Sequence, residues 1–105
     1  ITYMADHDLA QSTAFQVLHS YGALSTQNDS GLSGYLYLYG LSSTTYVKNF
    51  IARTMCIHQS GTPLYFAMDS YCAGYMNTTS AVDAIQFKMD SGEIQGGKIK
   101  LYGIS

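Results

Sequence analysis

The sequence predicts an all-β domain, an antiparallel β-sandwich or barrel of about six to eight strands. Apolar and polar residues alternate with a period of two, β-branched and aromatic residues dominate, and Gly-, Ser- and Asn-rich turns separate the alternating segments. A chain of 105 residues corresponds to about one domain. We therefore expect a single domain over residues 1–105, in which residues 1–12 are an extended N-terminal segment or the end of a longer chain.

The clearest alternation lies in the last quarter of the chain. Residues 84–89 and 97–104 each place apolar side chains at every second position and polar side chains between them. Gly92 lies in an Asp-Ser-Gly turn between the two segments, where a positive φ is expected. The side chains predicted to face a core are Ile85, Phe87, Met89, Ile99 and Leu101.

Upstream, the same pattern predicts further strands at residues 13–21, 34–41, 46–58 and 64–71, with 72–76 as a continuation of the last one. The strand at 46–58 carries apolar residues on both faces, which is typical of a strand that is covered on both sides. Helical character is limited to one or two turns within residues 8–17, too short to be stable without packing.

The two cysteines, Cys56 and Cys72, are too few for a disulfide framework. A hairpin between residues 50–58 and 64–71, turning near Ser60-Gly61, would place Cys56 opposite Tyr65 or Phe66. Cys72 would lie several residues past that position. The sequence therefore predicts two free, buried thiols, and no metal-binding spacing of the CxxC type is present.

The chain is unusually poor in charge. Charged residues make up 11% of the sequence, against about a quarter in ordinary globular proteins. Such a surface suits a subunit that is partly covered by its neighbours. Five Lys and Arg residues and a net charge of −2 argue against a nucleic-acid-binding surface. No apolar stretch reaches the roughly 18 residues of a membrane span.

The ten tyrosines are the most informative side chains. Three of them share one face of the strand at 34–41, and Tyr65 and Tyr71 are expected to share a face of another strand. A tyrosine stripe packs between sheets or under a loop, forms a subunit interface, or stacks on sugar rings. All three uses remain open. The candidate contact residues are Tyr35, Tyr37 and Tyr39, together with Asn28 and Asn77 from the polar loops 25–31 and 77–80.

No metal or cofactor site is predicted. Asp6-His7-Asp8 is the densest cluster of titratable groups. In an extended segment, however, the two carboxylates point away from the imidazole, so the three groups do not converge on an ion. A solvated N-terminal segment is the expected structure there.

The sequence also predicts no enzyme active site. His19, His58 and Asp83 make a triad only on paper, because no serine lies in a nucleophile turn. Cys56 and His58 share a strand face at a spacing of roughly 7 Å, beyond hydrogen-bond reach. Asp69 alone among the carboxylates lies in an apolar, aromatic stretch that would raise a pKa, and we interpret it as a strand-end or turn residue.

Residues 34–42 and 97–105 echo each other. Gly-Tyr-Leu-Tyr-Leu-Tyr-Gly-Leu-Ser in the first corresponds to Gly-Lys-Ile-Lys-Leu-Tyr-Gly-Ile-Ser in the second. The echo fits two strands in related places of a two-sheet fold, although alternating strands also resemble one another by chance.

The last third of the chain resembles the closing segment of many bacteriophage virion proteins. The residues that carry the resemblance are Ala84-Ile-Gln-Phe87, Ser91-Gly-Glu-Ile94 and Gly97–Ile104, with Leu32-Ser-Gly-Tyr-Leu36 upstream. It extends over most of residues 13–105 but is specific only in about the last 24.

The family comprises tail-fibre, head-fibre and receptor-binding proteins whose C-terminal domains are jelly-roll-like β-sandwiches. The resemblance implies a non-enzymatic subunit at the virion surface, a homotrimer that contacts other virion proteins and a host-surface glycan. It carries no catalytic residue. The alternative is a stand-alone carbohydrate-binding β-sandwich.

Overall fold

The computed structural model describes residues 8–19, 24, 30–59 and 65–104. Within these ranges the fold is all-β, as predicted, and contains no helix. The three strands are β1 (Leu32–Leu38), β2 (Lys48–Gln59) and β3 (Tyr65–Met76). They form one antiparallel sheet in the order β1-β2-β3. The described ranges thus show a single sheet, and the six to eight strands of a sandwich are not seen in them.

The hairpin of β2 and β3 confirms the predicted pairing, but its register differs from the prediction. Cys56 lies opposite Met68 rather than opposite Tyr65 or Phe66. Since Gln59 pairs with Tyr65, the connection is longer than a tight turn at residues 60–61, and the strands shift accordingly. The turn itself lies outside the described residues.

Both thiols are free, as predicted. Cys56 is buried, whereas Cys72 is only half-buried. Cys72 lies opposite Ala52, so the two sulfur-bearing side chains share a face of the sheet but belong to different cross-strand pairs.

Alternation divides the sheet into two faces. Every cross-strand pair joins residues of the same parity, such as Leu36 with Ala52 and Ala52 with Cys72. We call the even-numbered side the inner face and the odd-numbered side the tyrosine face. The inner side chains of β2 are buried from Ala52 to His58, whereas the odd-numbered side chains beside them are more exposed.

The core of one chain is small. Among the described residues, the only buried apolar side chains are Ala52 and Cys56. Five of the larger apolar side chains of the inner face are half-buried: Leu36, Leu38, Phe50, Met68 and Met76. Two others, Leu32 and Phe66, are 47% and 40% exposed. The predicted cover on both sides of β2 is therefore wrong within a single chain, because Ile51, Met55 and Ile57 remain 44%, 44% and 39% exposed on the other face.

Two glycines allow the strands to approach each other closely. A Cβ on Gly34 would collide with the backbone carbonyl of Arg53 and lie 2.9 Å from Thr54 Cα. A Cβ on Gly74 would lie 2.8 Å from the ring of Phe50, which covers that glycine across the strand pair.

Lys48 anchors the loops at one end of the sheet. Its side chain is fully buried, and its ammonium donates to the carbonyls of Ser43, Tyr46 and Thr78 at 2.6, 3.2 and 3.2 Å. An ammonium has three donors, and each one finds an acceptor here. The β1–β2 connection and the segment after β3 are thereby held against the first residue of β2.

Several predicted strands are wrong within the described part of the chain. Residues 13–19 and 77–104 contain no strand. Gly92 takes the expected positive φ of 77°, but the segments on either side of it do not pair. The side chains predicted to fill a core are exposed instead: Ile85 at 43%, Phe87 at 40%, Ile99 at 69% and Leu101 at 89%. An alternating segment becomes a strand only when a neighbour supplies hydrogen bonds.

The chain exposes far more surface than its mass requires. Its accessible area is 8791 Å², whereas a compact monomer of this mass exposes about 5,800 Å². Its radius of gyration is 15.4 Å, against about 13 Å for a compact domain of this length. No helix in the described residues is long and apolar enough to cross a membrane.

Candidate functional site

The tyrosines predicted to line up do so. The alternation of β1 directs Tyr35 and Tyr37 to the tyrosine face, and Tyr39 continues their line because its N–H donates to the Asn49 carbonyl at 2.9 Å. The ring centroids of Tyr35 and Tyr37 lie 5.1 Å apart, and those of Tyr37 and Tyr39 lie 6.4 Å apart. The rings are tilted by 51° and 38°. They form a continuous aromatic ladder along the sheet edge.

This ladder is open to solvent in the single chain. Tyr35, Tyr37 and Tyr39 are 46%, 45% and 49% exposed. Packing between two sheets would bury them almost completely, and the described residues contain no second sheet that does so. Of the three uses predicted for the stripe, the subunit interface and the sugar-stacking surface fit this geometry.

The ladder belongs to a wider exposed face. The tyrosines predicted to share a face of β3, Tyr65 and Tyr71, both lie on the tyrosine face, and Tyr75 joins them. Their exposures are 49%, 68% and 63%. Ile51, Met55 and Ile57 lie between the two tyrosine-bearing strands, so aromatic and apolar side chains make up most of the face. A mostly aromatic face of this kind is typical of a contact surface.

A charge pair crosses the middle of this face. Arg53 lies between Tyr35 and Tyr71 in register. Its Nε and a terminal guanidinium nitrogen donate to the two carboxylate oxygens of Asp69 at 3.0 and 2.6 Å. The guanidinium carbon also lies 4.8 Å from the centre of the Tyr71 ring. The forked contact fixes a flat cation among the aromatic rings.

Asp69 is therefore not an acid with a raised pKa. Its hydrogen bonds from Arg53 lower the pKa of the carboxyl group, and the same pairing raises the pKa of Arg53. The sequence interpretation as a strand-end or turn residue is wrong as well, because Asp69 lies within β3 and pairs with Met55. The polar atoms of the face neutralise one another and leave no convergent reactive group there.

A shallow depression of about 440 Å³ lies at one end of the tyrosine face. Its lining includes Met55, Ile57 and Ala67 of the tyrosine face, and also Asp69. It is open to solvent and adds a recess to the contact surface rather than an enclosed ligand cavity.

Of the two asparagines predicted as contacts, Asn28 lies outside the described residues. Asn77 is exposed and follows β3 directly. It lies at the same end of the sheet as Tyr39, because Tyr39 bonds to Asn49 and Asn49 pairs with Tyr75. The structure thus places Asn77 near the end of the ladder but shows no contact between them.

One cluster escaped the sequence reasoning. His19 Nε2 lies 3.0 Å from Cys56 Sγ, and His19 Nδ1 lies 3.0 Å from Thr54 Oγ1. The Thr54 hydroxyl lies 3.3 Å from the Leu18 carbonyl. No spacing rule reveals this cluster, since His19 is 37 residues from Cys56 and was predicted to lie in a strand.

This cluster, which we call the clasp, has a structural role: hydrogen bonds of Leu18 and His19 hold the segment before residue 20 against Thr54 and Cys56 of β2. Burial, followed by the nearby His58, lowers the pKa of His19, and burial raises the pKa of the Cys56 thiol. Both groups are therefore neutral near pH 7, so the thiol donates to Nε2 and Nδ1–H donates to Thr54. A protonated, buried thiol is a poor nucleophile.

His19, His58 and Asp83 do not form a catalytic triad either. His58 packs against the Phe66 ring at a centroid distance of 5.0 Å, and Asp83 is exposed in the segment after β3. Asp6 and His7 lie outside the described residues. Within the described ranges, no three His, Cys, Asp or Glu side chains are grouped to hold a metal ion.

Comparison of the chain with protein-family models, with curated proteins and with solved structures finds no match. The functional argument therefore rests on the residues and on their arrangement in the sheet. The feature with the most surface and the most consistent chemistry is the tyrosine face.

Proposed function

We propose that the protein is a non-enzymatic structural subunit of a bacteriophage particle, a fibre, spike or receptor-binding module used in assembly or host-surface attachment. The observation that carries the proposal is the uncovered tyrosine face, on a chain whose described residues bury only two apolar side chains. Copies of the chain associate through this face, and a homotrimer is the expected state. The phage setting and the trimer come from the resemblance of the C-terminal segment.

The energetics favour association. The chain exposes 8791 Å², about 3,000 Å² more than a compact monomer of its mass, whereas a stable interface buries about 1,200–2,000 Å² in total. Tyrosine covers apolar area at low cost in side-chain entropy. The face also carries few charges that would need to be dehydrated.

In this proposal the sandwich is a property of the assembly. The three strands supply one sheet, and the jelly-roll-like second layer is completed when chains come together. Polar loops, including the one that begins at Asn77, then project from the ends of the sheet toward a target. Oligomeric symmetry multiplies weak contacts made by such loops.

The test is the mass of the protein in solution, measured by light scattering over a range of concentrations, for the wild type and two variants. Tyr37→Ala removes the middle ring of the ladder, while Tyr46→Ala removes a 74% exposed ring outside the strands. We expect an oligomeric wild type, a weaker Y37A assembly by about 1–3 kcal/mol, and an unchanged Y46A assembly. A wild type that stays monomeric while folded contradicts the proposal.

The exposed ladder also supports a second candidate, a stand-alone carbohydrate-binding module. Rings about half exposed and spaced 5.1 and 6.4 Å apart present stacking faces for successive sugar units. A monomeric chain that binds oligosaccharides on a glycan array, and loses that binding in Y37A but not in Y46A, would favour this function over the first. A blank array would exclude it.

A further inference from the structure

We propose that residues 97–104 of one chain add as an extra strand to the outer edge of β3 in a second copy of the chain. The inference rests on the self-association proposed above and adds to the contact through the tyrosine face a second contact, made by backbone at the edge of the sheet.

The donated segment has a strand pattern without a partner. Ile99 and Leu101 alternate with Lys98 and Lys100, yet residues 97–104 form no strand with the described part of their own chain. Ile99 and Leu101 are 69% and 89% exposed. An alternating segment gains by pairing only where its apolar side meets an apolar face.

The echo within the sequence shows what this pattern does beside a free edge. Residues 34–42 share the Gly-x-Leu/Ile-x-Leu-Tyr-Gly pattern of residues 97–103. Residues 34–38 of the first segment lie in β1 because β2 pairs with them, and Leu36 is half-buried opposite Ala52. In the segment 97–103, the corresponding Ile99 remains exposed to solvent. This segment has no neighbouring strand edge with which to pair among the described residues of its own chain.

The edge that fits is the outer side of β3. β3 pairs with β2 and with no other strand of the described ranges. It is 12 residues long, whereas β1 is 7 residues long. The eight residues 97–104 match β3 over their whole length and would overhang β1. An exposed edge of this length is a template for another strand.

The apolar sides agree. The inner-face residues of β3 next to this edge include Met68, Cys72 and Met76, which are half-buried in the single chain. A strand that places Ile99 and Leu101 on the inner face extends this apolar surface and covers part of it. The same register turns the lysines to the opposite side.

The opposite side agrees as well. On the tyrosine face, Lys98 and Lys100 come next to β3, where Tyr71 and Tyr75 are 68% and 63% exposed. Arg53 already balances the charge of Asp69 and lies over the Tyr71 ring. The contact open to the lysine ammonium groups is therefore with the exposed aromatic rings, over which cations are favoured.

Strand donation between copies of the chain pairs both the segment 97–104 and the outer edge of β3, because every chain offers one donor segment and one acceptor edge. The contact is heterologous, and three chains that each donate to the next form the expected trimer when the rotation between successive chains closes the ring.

The test compares two substitutions that introduce the same residue on opposite sides of the donated segment. In the full-length chain, Leu101→Gln places an amide on the inner face of the sheet, and Lys100→Gln places it on the tyrosine face. Since Leu101 is 89% exposed in one chain, L101Q costs the separate chain little. In the assembly we expect L101Q to raise the dissociation constant by about a hundredfold and K100Q to change it by less than about tenfold.

Two further readouts separate the possible outcomes. Hydrogen exchange should show every second amide of residues 97–104, those that face β3, protected in the oligomer and open after dilution to single chains. Mixed isotope-labelled and unlabelled chains should show contacts between Leu101 methyls of one chain and inner-face side chains of β3 in another.

If the amides of residues 97–104 stay protected from hydrogen exchange in the single chain, this segment pairs within its own chain. That result would overturn the proposed donation of a strand between chains. Strand donation would also be overturned by an oligomer in which L101Q and K100Q have the same effect and the amides of residues 97–104 exchange freely with solvent. That result would leave the proposed function standing. A wild type that never associates would remove both.

Discussion

Replacing the buried lysine at the start of β2 provides the sharpest test of how the sheet end is held. Lys48→Met keeps the length and apolar character of the stem but removes the ammonium and its three hydrogen bonds to Ser43, Tyr46 and Thr78. Each hydrogen bond to a charged group contributes about 1.5–3 kcal/mol. Lys48→Met also removes the cost of dehydrating the buried ammonium, which is several kcal/mol and offsets part of the loss of the hydrogen bonds.

The net expectation for Lys48→Met is a loss of about 3 kcal/mol in the free energy of unfolding, because three carbonyls lose their donor. For a chain of this size, that corresponds to a fall in Tm of roughly 13 °C. Urea denaturation and thermal melting, at one fixed protein concentration, measure it. Lys88→Met is the matched control, since its ammonium lies over the Phe15 ring and contributes about 0.5–1 kcal/mol. Equal losses for the two variants would refute the reasoning.

Three further predictions address the clasp, the strand approach and the charge pair. Because burial lowers the pKa of His19 below 6.5, the folded state binds a proton there less readily than the unfolded chain. The free energy of unfolding should therefore be highest above about pH 6.5 and fall as the pH drops below it. In a series of denaturation curves at different pH, His19→Gln should reduce the slope of the free energy of unfolding against pH. An unchanged slope would show that the cluster of His19 and Cys56 does not cause the pH dependence. Gly34→Ala should destabilise the sheet by about 2 kcal/mol or more, since its Cβ meets backbone, whereas Gly31→Ala, with open space around it, should melt within about 0.5 kcal/mol of the wild type. At a dilution where the chains are separate, Asp69→Asn should leave the melting temperature nearly unchanged, because both partners of the ion pair are exposed to solvent in one chain. A large fall in the melting temperature at that dilution would show that the pair stabilises the separate chain.

The sequence predicted what alternation alone determines. Period two determined the parity of the faces, so the shared side of Tyr35, Tyr37 and Tyr39 followed directly. The pairing of β2 with β3 followed from the turn residues between them, and the free thiols followed from the number and separation of the cysteines. The register of Cys56 did not follow, because a connection longer than a tight turn shifts every pair without changing the pattern.

Alternation does not identify a partner strand, which explains the failure in the last quarter of the chain. Residues 84–89 and 97–104 carry the pattern of core strands, yet nothing in the pattern says whether the neighbour belongs to the same chain. The clasp between His19 and Cys56 was missed for a related reason, since it joins distant segments through burial rather than through spacing.

In the proposed assembly, another copy of the chain covers the tyrosine face. Hydroxyl-radical footprinting of the wild type, at concentrations above and below self-association, tests this directly. We expect labelling of Tyr35, Tyr37 and Tyr39 to fall several-fold as chains associate, while Tyr46 labels equally in both states. Tyrosines 35, 37 and 39 that stay as reactive in the concentrated protein as in the dilute one would contradict it.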